Sequence, residues 1–134
     1  METKDLMQFD WICLEDDPTP RQVDFIRSGE VGLYWNKIVT PPYIKPIPLT
    51  PEILEKNGFL ANMHVYPYPY YEYEVKEIKV KVGFAFPQGN RTSYKEPWVY
   101  IDSECVFVEH LPCMFVHQLQ HALKLCEIDK EIKL

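Results

Sequence analysis

The segment Pro41-Pro42-Tyr43-Ile44-Lys45-Pro46-Ile47-Pro48 places four prolines within eight residues. Proline fixes φ and lacks a backbone donor, so this segment cannot be a central strand of a sheet. It reads as an extended connector that separates a β-rich N-terminal part from the rest. With 134 residues, 46% hydrophobic and 25% charged, the chain is expected to be one globular domain over 1–134. The alternative organisation is a β-rich part, 1–45, followed by an α+β part, 46–134.

Three short segments before the connector have strand character. Phe9 to Leu14 and Gln22 to Arg27 are rich in aromatic and branched residues. Val31, Leu33 and Trp35 alternate with Gly32, Tyr34 and Asn36, the period of a half-buried strand. Asp16-Asp17-Pro18-Thr19-Pro20 is expected to turn between the first two, and Ser28-Gly29 between the second and third. A small curled sheet of SH3-like form is the expected arrangement. Such a shape assigns no function by itself.

After the connector, Thr50 to Gly58 carries a full set of helix signals. Thr50 suits the cap, Pro51 the first position, and Glu52 the positive end of the dipole, while Asn57-Gly58 supplies the stop. A short helix near 51–57 follows, anchored by Ile53, Leu54 and Phe59. Residues 62–109 form a second antiparallel set. Tyr71, Tyr73 and Val75 share one face, as do Ile78, Val80 and Val82, and the phase slip at Lys76-Glu77 predicts a bulge or bend. Gln88 to Arg91 reads as a loop tip, and Asp102-Ser103 as a tight hairpin turn. Beyond Pro112, Phe115, Val116, Leu119, Ala122, Leu123 and Cys126 mark an apolar stripe, predicting a helix near 115–126. His117, Gln120 and Lys124 are expected mainly on its other faces. The tail Glu131 to Leu134 is read as a short edge strand. The fold class is therefore α+β: two antiparallel sets and two helices.

The segment from Pro46 to Phe59 (PIPLTPEILEKNGF), together with Phe115-Val116-His117-Gln118-Leu119-Gln120, resembles an uncharacterised family of small proteins of Bacteroidetes phages, prophages and mobile elements. Asp5 to Ile12 is similar, more weakly, to that family's opening strand. Phe115 stands where the family usually has Tyr, and His121-Ala122-Leu123-Lys124 departs from its aromatic continuation. The resemblance implies cytoplasmic expression and transfers no activity, cofactor or catalytic residue.

Charge and motifs exclude several functions. The net charge is −6, and residues 1–36 hold 8 acidic and 3 basic side chains, so most of the imbalance lies there. Nucleic-acid binding needs a basic patch, and no cluster of Lys and Arg along the sequence supplies one, which disfavours it short of a small basic groove assembled by the fold; Lys76, Lys79 and Lys81 alternate with Glu72, Glu74 and Glu77 as on a solvated strand face. Cys13, Cys105, Cys113 and Cys126 lack metal or redox spacing and read as free thiols in a reducing cytoplasm, with one or two disulfides as the alternative that their even number permits. Cys113 with His110 or His117 imitates a nucleophile–base pair, but its apolar neighbours point to a buried thiol. His117 and His121 stand one helical turn apart, yet Gln118 occupies the place of the zinc-protease Glu. No nucleophile elbow or phosphate loop occurs. No apolar run is long enough for a membrane helix, and the first residues lack a secretory signal's basic and apolar regions.

The expectation is therefore a protein with no catalytic residue, no metal and no cofactor. The most unusual feature is Tyr66-Pro67-Tyr68-Pro69-Tyr70-Tyr71-Glu72-Tyr73, with five tyrosines in eight residues. Tyrosine gives contact area at low entropic cost, and proline pre-extends the backbone. Tyr66, Tyr68, Tyr70, Tyr71 and Tyr73 are the candidate partner-binding residues. A non-enzymatic, cytoplasmic accessory protein of a phage or mobile element, acting through contacts with an unidentified protein, is the leading reading. A nucleic-acid module using the N-terminal part comes second, and an HxxxH metal-dependent enzyme last.

Overall fold

A computed structural model describes residues 5–34, 37–40, 43–62, 70–83, 98–102 and 107–134, with backbone alone for 107–112. Internal contacts divide the chain into two units: residues 1–48 with 115–121, and residues 49–114 with 122–134. Each unit holds one five-stranded antiparallel sheet, and two short helices complete the α+β fold.

In the first unit the strands are β1 (Trp11–Leu14), β2 (Asp17–Arg27), β3 (Glu30–Leu33), β4 (Lys37–Val39) and β5 (Ile44–Pro46). They pair in the order β4-β3-β2-β1-β5. The proline-rich connector thus supplies an edge strand, where a missing donor can face away from the ladder. Ser28 and Gly29, both with positive φ, close the β2–β3 hairpin between Arg27 and Glu30. That geometry matches the right-handed twist of the flanking strands.

The turn expected at 16–20 is not there. β2 already begins at Asp17, and the reversal is confined to Glu15-Asp16. Pairing runs Leu14↔Asp17 and then Ile12↔Arg21, so Pro18-Thr19-Pro20 falls in an irregularity of the register. Prolines are tolerated within β2 because that stretch needs no ladder donors. A second irregularity, between Val23 and Phe25, lets the Phe25 ring lie over Gly32. A Cβ at Gly32 would collide with that ring, so any larger residue there would force the Phe25 side chain to shift. Ile12, Leu14, Val23, Val31, Leu33 and Ile44 fill this unit's core, with Leu6 from the preceding segment.

In the second unit, α1 spans Pro51–Lys56, with the Thr50 hydroxyl accepting from the Ile53 amide and Gly58 at φ +86 ending it. Leu54 and Phe59 are buried beneath it. The sheet order is β10 (Phe107–Pro112), β9 (Trp98–Asp102), β8 (Ile78–Gly83), β7 (Tyr70–Val75) and β6 (Leu60–Asn62). The phase slip at Lys76-Glu77 is a full chain reversal and not a bulge. Both residues have positive φ, and Val75 pairs directly with Ile78. Phe107 pairs with Asp102, so the β9–β10 connection comprises residues 103–106. Those residues, and the loop tip read at 88–91, lie outside the described residues.

The second helix, α2, runs Val116–Leu125, and Val116, Leu119, Leu123 and Cys126 on its apolar stripe are buried. The tail after it forms no strand. Instead the buried Asn57 side chain acts as its partner: Oδ1 accepts from the Lys133 amide at 2.6 Å, and Nδ2 donates to the Lys133 carbonyl at 2.7 Å. Ile128 and Ile132 are buried as a result of that path. No helix among the described residues is long and apolar enough to cross a membrane.

Candidate functional site

The tyrosine-rich segment does not present one surface within the described residues. Tyr66 and Tyr68 lie outside them. In β7, successive side chains point to opposite faces, so Tyr70 separates from Tyr71 and Tyr73. The buried Tyr71 hydroxyl donates to Glu55 Oε1 at 3.2 Å. Burial, with the neighbouring Glu55 carboxylate, raises its pKa and keeps it a donor. Tyr73 packs on Phe59 at 5.3 Å, and the Lys130 ammonium stands 5.0 Å from its ring centre. Tyr70 faces the other way, under the Lys81 ammonium. Tyr71 and Tyr73 are thus engaged within their own unit.

The first unit holds a different aromatic surface, built around Phe9-Asp10-Trp11. This short segment is gripped between β2 and the first turns of α2. The Phe9 amide donates to the Val23 carbonyl at 2.7 Å, and the Val23 amide to the Asp10 carbonyl at 2.9 Å. From α2, the Gln120 amide group donates to the Phe9 carbonyl at 3.0 Å and accepts from the Trp11 amide at 2.9 Å. Gln22 donates to the same Phe9 carbonyl at 3.1 Å. One glutamine thereby does the work of an adjacent strand for two backbone groups.

Asp10 is only 2% exposed, and His121 supplies its partner from α2. Asp10 Oδ2 lies 2.6 Å from His121 Nε2 and accepts from the Met7 amide at 2.7 Å. A buried carboxylate requires such bonds to offset its lost hydration. The consequence appears at Phe9, which is held at φ +73 with its ring 51% exposed. A bulky residue with positive φ is a backbone outlier that persists only where its surroundings over-determine it. Here the hydrogen bonds to Phe9, Asp10 and Trp11 from Val23, Gln22, Met7, Gln120 and His121 do so, and they direct a large apolar ring towards water. That ring stacks on Tyr34, with centroids 6.3 Å apart and planes 13° from parallel.

Beside the pair lies a half-open groove of about 230 Å³ lined by Trp11, Thr19, Pro20, Arg21, Gln22 and Tyr34. The irregular β2 stretch forms one wall. Asp17 shapes it by accepting from the Thr19 amide at 3.0 Å and pairing with Arg21 at 3.4 Å. Those contacts, the Thr19 amide first, hold the Asp17 carboxyl below its usual range. The Arg21 Nε is buried without a hydrogen-bond partner.

The expectation that His117 lies away from packing is overturned, because it is only 5% exposed. The first turns of α2 are enclosed on more than the apolar stripe, since the Phe9–Trp11 segment also packs on this unit's part of the helix through Gln120 and His121. Helical periodicity identifies one buried stripe and is silent about a second contact. The His117 ring stacks with Phe115 at 6.0 Å and meets His121 edge-on at 5.5 Å, while its Nδ1 is buried without a partner. Burial pushes its pKa below the ordinary histidine value and outweighs the opposing pull of Asp10, so the ring is neutral at pH 7.

Among the described residues, no three His, Cys, Asp or Glu side chains converge as a metal site. Asp10 and His121 turn their facing atoms on each other. Cys13, Cys113 and Cys126 are free thiols, and Cys105 lies outside the described residues. Burial lifts the Cys113 pKa to about 12, which leaves almost no thiolate at neutral pH. The arrangement around Asp10 orients and fixes a segment of backbone, and what it presents outward is aromatic surface. No protein family, curated protein or solved structure matches the chain.

Proposed function

We propose that the chain is a non-enzymatic binding protein that holds a partner protein on the Phe9–Tyr34 surface and its adjoining groove. The observation that carries this reading is Phe9 itself. A strained backbone, several hydrogen bonds and the buried Asp10 carboxyl bonded to His121 hold an aromatic ring in water instead of in the core. Aromatic side chains with fixed orientation are the residues that dominate protein interfaces, because little entropy is lost when they dock. The resemblance of residues 46–59 and 115–120 to small phage and mobile-element proteins supports a cytoplasmic accessory role. The acidic balance of residues 1–36 weighs against the nucleic-acid reading.

The test compares the immobilised chain with a Phe9→Ala/Tyr34→Ala variant of unchanged thermal stability, both exposed to host-cell lysate. A protein retained by the first and lost from the second supports the proposal. Equal retention by both, or retention of duplex DNA that declines steeply with salt, overturns it.

A further inference from the structure

Resting on that reading, we infer that the groove's occupant is a basic, proline-containing partner segment in an extended polyproline conformation. Three features of the groove lead there. The first is its hydrogen-bond state. The Trp11 amide is taken by Gln120, the Thr19 amide by Asp17, and the Tyr34 amide by the Gln22 carbonyl. With these backbone donors engaged, an incoming chain gains little from adding itself as a strand. A polyproline helix makes no internal or ladder hydrogen bonds and docks through its rings and ridges alone.

The second feature is shape and chemistry. Trp11, Tyr34 and Pro20 give the groove flat apolar walls, and the Phe9 ring extends the Tyr34 side. Proline rings fit between such walls at small entropic cost, since their backbone is already extended. Proline carbonyls also accept hydrogen bonds while offering no competing donor. The Arg21 guanidinium Nε is a donor without a partner, which a proline carbonyl in the groove would supply.

The third is charge. Glu15 and Asp16 are exposed beside the Asp17–Thr19 wall, and residues 1–36 carry 8 acidic against 3 basic side chains. A lysine or arginine flanking the prolines would meet this field and could also lie over an aromatic face. An acidic proline-rich segment would be repelled by the same field. Charge complementarity therefore selects among otherwise equivalent occupants.

The experiment titrates the full chain with a short synthetic peptide containing two Pro–Xaa–Xaa–Pro motifs flanked by arginines, followed by tryptophan fluorescence and by calorimetry. Saturable binding is expected, weakening as ionic strength rises. Tyr34→Ala should reduce affinity by about tenfold, the effect of losing one well-packed aromatic contact. Arg21→Lys, which keeps the charge but removes the Nε donor, should reduce it less. A peptide with the arginines replaced by glutamates, and one with the prolines replaced by alanines, should both bind more weakly. Equal binding of the alanine peptide overturns the polyproline geometry, and equal binding of the glutamate peptide overturns the charge argument. If no peptide binds while a lysate partner still depends on Phe9 and Tyr34, the occupant is wrong and the binding surface stands. If neither binds, both are wrong.

Discussion

At the scale of single residues, two side chains deserve opposite expectations from those that their types suggest. Phe9 is a large aromatic whose removal should leave stability nearly unchanged. Its positive φ costs about 1–2 kcal/mol in a non-glycine residue, while its stack on Tyr34 returns about 0.5–1.5 kcal/mol. Phe9→Gly should therefore melt within a few degrees of the parent chain and yet lose partner capture. A large fall in melting temperature would mean that the ring serves the core. His117 is a polar helix residue whose pH response should be visible in the fold. Its depressed pKa means that the folded chain prefers the neutral ring, so its contribution is complete above about pH 6.5 and lost as pH falls through the lower folded value. Denaturant midpoints measured from pH 7.5 to 5 should decline for the parent and decline less for His117→Leu. At pH 7.5 the leucine variant should be at least as stable, because a buried nitrogen without a partner is removed. Parallel pH profiles for the two chains would contradict this account of His117. None of this is legible from spacing: His117 and Gln120 read as a solvated helix face, and only the long-range bonds to Phe9, Asp10 and Trp11 reveal a second enclosing contact.

At the scale of elements, local chemistry proved readable wherever it was self-contained. Thr50, Pro51, Asn57 and Gly58 specify α1 through capping alone, and the structure has it within those bounds. The α2 stripe was equally plain, since Val116, Leu119 and Leu123 repeat at helical spacing. Leu119→Ala should cost about 2–5 kcal/mol by leaving a cavity, measured by chemical denaturation. What could not be read were features decided by pairing. Pro18 and Pro20 look like turn residues, but a register irregularity accommodates them inside β2. Lys76-Glu77 lacks the Asn-Gly signature of a two-residue hairpin, so its phase slip reads as a bulge or bend, and pairing makes it a full reversal with both residues at positive φ. Glu77→Gly should relieve that cost and stabilise the chain by about 1 kcal/mol, as a rise in melting temperature would report. The alternating tail reads as a strand, but the Asn57 side chain takes up both the amide and the carbonyl of Lys133.

At the scale of the whole molecule, the acidic N-terminal part and the aromatic groove make one functional account. On the proposed reading, charge brings a basic partner near, and the fixed rings of Phe9, Tyr34 and Trp11 hold it. The sequence pointed to aromatic contacts but placed them in the tyrosine run, because composition shows where rings are numerous and not where they are left uncovered. Tyr71 and Tyr73 are drawn into packing by Glu55, Phe59 and Lys130, while Phe9 is held outward by partners far along the chain. The proposed binding surface is the groove beside Phe9 and Tyr34. Its most direct test is backbone amide NMR of the labelled chain, titrated with whichever partner or basic proline peptide it retains. The expected result is saturating shifts confined to residues 9–11, 19, 21, 22 and 34, with β7 and its tyrosines unmoved. Shifts centred on Tyr70, Tyr71 and Tyr73, with Phe9 and Tyr34 unchanged, would contradict it.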